Sequence, residues 1–78
     1  MYKLREIREK QGLTLVELAE KSEVSKSQIS AVELGDHDLT VGNLIRLSLA
    51  LETTPNDIIG WEDIKENEKR RIKWDFNS

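Results

Sequence analysis

The run TLVELAEKSEVSKSQISAVELG, from Thr14 to Gly35, constrains this chain more than any other stretch of it. Its apolar residues Leu18, Ala19, Val24, Ile29 and Val32 recur at spacings that turn two short helices toward each other, while Glu17, Glu20, Lys21, Lys26, Ser27 and Ser30 fall on the remaining sides. The small Ala19 lets the two helices approach closely where they cross, and Val24 fills the corner between them. A bulky residue at position 19 is therefore expected to force the pair apart.

Signals at the helix ends agree with this reading. Thr14 with Glu17, and Ser25 with Gln28, both have the spacing of a capping box, in which the hydroxyl accepts from a backbone N–H that has no partner inside the helix. Gly12 and Gly35 stand where the helices before and after the Thr14 cap end, since a left-handed terminal residue is easiest without a Cβ. Two capped helices, a tight turn and a second helix carrying small polar and basic side chains outward make a helix-turn-helix pattern suited to DNA base edges. The patterning by itself also fits an ordinary helical hairpin in a small bundle.

The segments on either side are helical as well. Tyr2 to Gln11 is amphipathic, with Leu4 and Ile7 on one side, Leu13 continuing just past the end, and charged residues around them. Gly35-Asp36-His37-Asp38 is a loop leading to Thr40, which caps a fourth helix. Leu44, Ile45, Leu47, Leu49 and Leu51 make this helix the most apolar, so it is expected to be the central post of the core. Thr54-Pro55-Asn56-Asp57 combines a cap, a proline at the first helical position and an acid in the first turn, marking a short fifth helix that Gly60 ends. Beyond it, Trp61, Ile64, Glu68, Ile72 and Phe76 share a helical stripe, whereas Ile72, Trp74 and Phe76 also alternate as a strand would. The expected organisation is a helical domain over residues 1–60 and an extension over 61–78, with Ile59, Trp61, Ile64 and Trp74 as a dimer or partner contact.

With 78 residues the chain supports one small domain and a core of about a dozen and a half side chains. It has no cysteine, hence no disulfide framework or thiolate metal site, which fits a reducing cytoplasm. Its apolar runs are too short to span a bilayer, and the N-terminus lacks the continuous apolar core of a secretion signal, so a cytoplasmic protein is expected. Net charge is −3, which opposes nucleic acid as a partner because phosphate contacts need Lys or Arg. The deficit lies in residues 1–60, with seven basic against ten acidic side chains; residues 61–78 balance five against five. DNA is met by one face, however, and the rest of a domain can be acidic.

Residues 4–60 resemble the Cro and phage-repressor (XRE-like) family of helix-turn-helix transcriptional regulators. The matching pieces are Leu4-x-x-Ile7-Arg8-x-x-x-Gly12-Leu13-Thr14, Glu17-Leu18-Ala19-Glu20-Lys21, Val24-Ser25-x-Ser27-x-Ile29-Ser30-x-Val32-Glu33-x-Gly35, and Leu44 to Leu51 followed by Asp57-Ile58-Ile59. The resemblance implies an all-α, compact five-helix lambda-repressor-like domain with a short C-terminal extension, helical or strand-like. It implies a regulator, in most cases a repressor, binding a palindromic operator as a homodimer, with the helix at 25–34 in the major groove. Base contacts would come from Lys26, Ser27 and Ala31, with Ser30 on the same exposed face: lysine donates to guanine O6 and N7, serine donates or accepts, and an alanine methyl touches a thymine methyl. Ser25, Gln28, Lys21, Thr40 and Asn43 would meet the DNA backbone. Arg8 and Glu33 match a pair that bridges the first and third helices.

Departures from the family pattern bear on function. Leu15 stands where Gln usually contacts phosphate, Glu23 where the turn usually has Gly, and Asp36-His37-Asp38-Leu39 where the loop usually carries basic residues and a proline. The carboxylates at 36 and 38 would repel a phosphate backbone. A second reading is therefore a protein-interaction module, such as an anti-repressor, an adaptor or an antitoxin, that keeps the fold with weak or no DNA binding. The Ser-Lys-Ser-Gln start of the third helix disfavours it, because a surface released from DNA need not stay small, polar and basic. No catalytic constellation is apparent: His37 is the only histidine, and the four glycines do not form a phosphate cradle. An enzyme, a metal site and a cofactor are not expected.

Overall fold

The computed structural model describes residues 2–72. The chain forms α1 (Leu4–Lys10), α2 (Leu15–Ser22), α3 (Lys26–Glu33), α4 (Val41–Ala50), α5 (Pro55–Ile59) and α6 (Trp61–Ile72), and among the described residues there is no strand. The described part of the 61–78 extension is thus a sixth helix. Its acids Glu62 and Asp63 lie in the first turn and Lys69, Arg70 and Arg71 in the last, as the helix dipole favours. The strand-like alternation of Trp74 and Phe76, and the contact expected of Trp74, lie outside the described residues.

Local chemistry accounts for the helix starts. The side chains of Thr14, Ser25, Thr40 and Thr54 each accept a hydrogen bond from the backbone N–H three residues on, giving α2, α3, α4 and α5 an N-cap. Only the Thr14 cap is a full capping box, because Glu17 Oε1 accepts from the Thr14 N–H at 2.9 Å. The Ser25 cap, expected to be a second box, has its hydroxyl half alone, and the Gln28 side chain points elsewhere. At the helix ends, Gly12, Gly35 and Gly60 all have positive φ.

The core is formed by Leu4, Leu18, Val24, Ile29, Val32, Leu47, Leu51 and Ile58, with Tyr2, Ile7, Leu13, Leu15, Ala19, Leu39, Leu44 and Ala50 packed around them. α2 lies between α3 and α4, while α1 packs on α3 and α5. The expectation for α4 is corrected in part. Leu47 and Leu51 are fully buried, but Ile45 and Leu49 point outward. Ten residues on one helix cannot all face a core that lies on one side of it, and α2 and α5 cover only that side.

Two polar links tie the ends of the bundle together. The Lys3 N–H donates to the Ile58 carbonyl at 2.6 Å, and Gln11 Nε2 donates to the Leu51 carbonyl at 2.7 Å. They fix α1 against α5 and the end of α4, the frame on which α2 and α3 are mounted.

Candidate nucleic-acid interface

The turn between α2 and α3 decides how the outward face of α3 is presented. Glu23 sits in the left-handed region at φ 60° and ψ 23°, and its N–H bonds back to the Ala19 carbonyl. A side chain there costs backbone strain that a glycine would not. The turn is stitched by Ser22, a buried hydroxyl that donates to the Leu18 carbonyl at 2.7 Å and accepts from the Val24 N–H at 3.2 Å. Nothing in the local pattern marks Ser22 for burial, since a serine at a helix end ordinarily faces water. Val24 is buried at the corner, as its position in the motif implies.

Ile29 and Val32 anchor α3 inward, which leaves Lys26, Ser27 and Gln28 exposed and Ser30 and Ala31 half-buried on the outer side. At about 100° per residue, Ser27 and Ala31 stand side by side at the middle of this outer arc, with Lys26 and Ser30 along one edge and Gln28 along the other. The four residues expected to meet bases thus share one face. From the Gln28 edge the surface runs into a shallow cleft of about 250 Å³ lined by Gln28, Val32, His37, Asp38, Thr40 and Asn43. Three of the expected backbone-contact residues, Gln28, Thr40 and Asn43, therefore meet in one place, and Ser25 caps the same helix. Lys21, in the last turn of α2, is exposed but does not line the cleft. His37 does line it, a placement legible in sequence only as the loop position shortly before the Thr40 cap.

Arg8 holds this face from behind. Its Nε donates to Glu33 Oε2 at 2.7 Å and its Nη2 to Glu33 Oε1 at 3.0 Å, while Nη1 donates to the Leu13 carbonyl at 2.7 Å. Hydrogen bonding to Glu33 raises the Arg8 guanidinium above its ordinary value, against the opposing effect of burial. Leu15, which stands where the family usually has Gln, has a packing role: it is half-buried against the core.

Helix electrostatics add a further distinction. α1, α2, α5 and α6 all carry an acid in the first turn, and the Glu17 carboxyl is held below its usual range chiefly by the Thr14 backbone N–H. α3 and α4 carry none, and α3 even begins with Lys26. A cation at a helix N-terminus opposes the dipole, whereas an outside anion there is favoured. Among the described residues no group of three or more His, Cys, Asp or Glu side chains is arranged to hold a metal ion. No helix among them is long and apolar enough to cross a membrane.

Two helices packed by their inner faces on a frame of α1, α4 and α5, with the polar outer face of α3 directed to solvent, define a domain of the helix-turn-helix class. The helix-turn-helix family model matches residues 4–58, so the chain belongs to that family, in its XRE-type branch, a family of DNA-binding regulatory domains and not of enzymes. A Type II methyltransferase, M.Sau96I, from Staphylococcus aureus is 39% identical over 64 residues, which are 82% of this chain but 14% of the methyltransferase. No solved structure matches the chain.

Proposed function

We propose that this protein is a sequence-specific DNA-binding transcriptional regulator, acting in the cytoplasm as a repressor on a palindromic operator. Two copies would set their α3 helices in successive major grooves about 34 Å apart. Lys26, Ser27, Ser30 and Ala31 read base edges, and Ser25, Gln28, Thr40 and Asn43, with Lys21 at the flank, meet the backbone. The observation that carries this reading is the pair of helix N-termini left without acids. α3 and α4 are the two helices lacking one, and Gln28 of α3 and Asn43 of α4 line the same cleft. A phosphate there supplies the negative charge that side chains supply to the other four helices.

With Asp38 lining the cleft, Asp36 in the same loop and Lys26 the one basic residue of α3, few phosphates are neutralised, so the salt dependence of binding is shallow. The 39% identity to a segment of a Type II methyltransferase supports a module that also occurs within a larger enzyme.

The second reading, a protein-interaction module, is favoured by one structural feature beyond Leu15, Asp36, Asp38 and the net charge. Trp61 is exposed at an open cleft of about 430 Å³ between α1, α5 and the start of α6, and the half-buried Ile59 and Ile64 belong to the same segment. Selection of bound duplexes from a random DNA pool, at low and near-physiological salt, separates the readings. An enriched palindrome establishes dimeric operator recognition and gives the half-site spacing. Binding without enrichment reduces the contact to electrostatics, and no binding at either salt leaves the interaction module.

A further inference from the structure

The outward side of α4 does not look like the solvent face of the other helices. On α1 the exposed residues within the helix are Arg5, Glu6, Glu9 and Lys10, all charged. On α4 they are Val41, Gly42, Ile45, Arg46 and Leu49, with a single charge among five. Val41, Ile45 and Leu49 stand four residues apart along one line of the helix, and they are 73%, 49% and 74% exposed. Together they form an apolar ridge about 12 Å long, at 1.5 Å per residue. In a chain in which 35% of residues are charged, an uncharged ridge of this length is a candidate contact surface.

We propose that a second copy of this chain covers it, through the same ridge on both partners. The inference rests on the dimer invoked above and names its surface. The ridge carries no carboxylate and has only Arg46 at its margin, so two copies bring apolar side chains together there without a row of like charges facing each other. A two-fold contact needs a patch that complements itself, and an uncharged line of branched aliphatic side chains does so without unpaired groups. Gly42 beside the ridge has open space where its Cβ would stand, so a partner helix can come close there. The ridge exposes roughly 300 Å² per copy, against the roughly 800 Å² per partner of a standard interface, which makes it the core of a modest, reversible association. Asn43 lies about 160° around α4 from the ridge, so a partner seated on the ridge leaves the Gln28–Asn43 cleft uncovered.

The test is sedimentation equilibrium of the full chain up to about 1 mM, for the wild type and for Leu49→Lys, Ile45→Asp and Trp61→Ala. The wild type is expected to dimerise, with Leu49→Lys weakening association at least about tenfold while its thermal midpoint is unchanged or higher. Ile45→Asp is expected to act likewise, and Trp61→Ala to have no effect. A wild type that stays monomeric, a Leu49→Lys variant that associates like the wild type, or a weakened Trp61→Ala variant each overturns the proposal. The DNA reading fails separately. If Leu49→Lys is monomeric and still binds a single half-site, that reading stands, and if the wild type dimerises through α4 but binds no duplex, only the surface assignment survives.

Discussion

Replacing Glu33 by Ala tests whether the Arg8 clamp behind α3 behaves as a buried ion pair. The two side chains are 11% and 6% exposed, and the guanidinium meets both carboxylate oxygens in a forked contact at 2.7 and 3.0 Å. Removing the carboxylate strands a charge that cannot titrate away at any usable pH, a loss put at about 3–5 kcal/mol. Two groups soften it here. The Leu13 carbonyl still accepts from Nη1 at 2.7 Å, and Glu9, half exposed, stands 3.8 Å from Nη2. The lower end, about 3 kcal/mol, is therefore expected, equivalent to a drop of about 12–24 °C in Tm for a domain of this size. Thermal and urea unfolding followed by circular dichroism at neutral pH measure it. The Arg8→Met/Glu33→Leu double variant should recover most of the loss, since an apolar pair of similar volume often replaces a buried ion pair without cost. A Glu33→Ala loss below about 1 kcal/mol would refute the reasoning, because that is the range of a solvent-exposed pair.

Glu23→Gly should raise stability by about 0.5–1 kcal/mol in urea titration, because glycine relieves the left-handed strain at φ 60°, less what it adds to unfolded-chain entropy. Glu17 is held below its ordinary value in the folded state, so its contribution is present above about pH 4.5 and lost as pH falls through the lower folded value. Glu17→Gln, which keeps an acceptor for the Thr14 N–H, should therefore narrow the difference between urea midpoints at pH 6 and in acid below pH 4.5; an unchanged difference counts against this assignment. Asp36→Asn with Asp38→Asn should tighten DNA binding at low salt in fluorescence anisotropy, by removing two anions from the loop that leads to the cleft. Lys26→Ala should weaken binding to the selected duplex, and an unchanged affinity would remove Lys26 from the interface.

The helices and the inward faces of α1, α2 and α3 were legible in the chain because they rest on short-range rules. A hydroxyl three residues before its donor, a glycine after the last turn and an apolar repeat of three and four residues act within one element, whatever surrounds it. The same rules turned Lys26, Ser27 and Ser30 outward, and the family resemblance added Ala31 to that face and named the Arg8–Glu33 bridge across 25 residues. What escaped depended on neighbours distant in sequence. Leu49 and Leu47 are the same residue type two positions apart, yet one is exposed and the other fully buried, because only the packing of α2 and α5 decides which side of α4 is inside. Ser25 and Gln28 have the spacing of a capping box, and the tertiary structure leaves Gln28 at the cleft with Thr40 and Asn43 instead. Sequence by itself therefore determined which segments are helical and which residues of the central motif turn outward. The burial of α4, the buried hydroxyl of Ser22 and the meeting of Gln28 with Asn43 were decided by the fold, since each is a relation between elements that no local pattern contains.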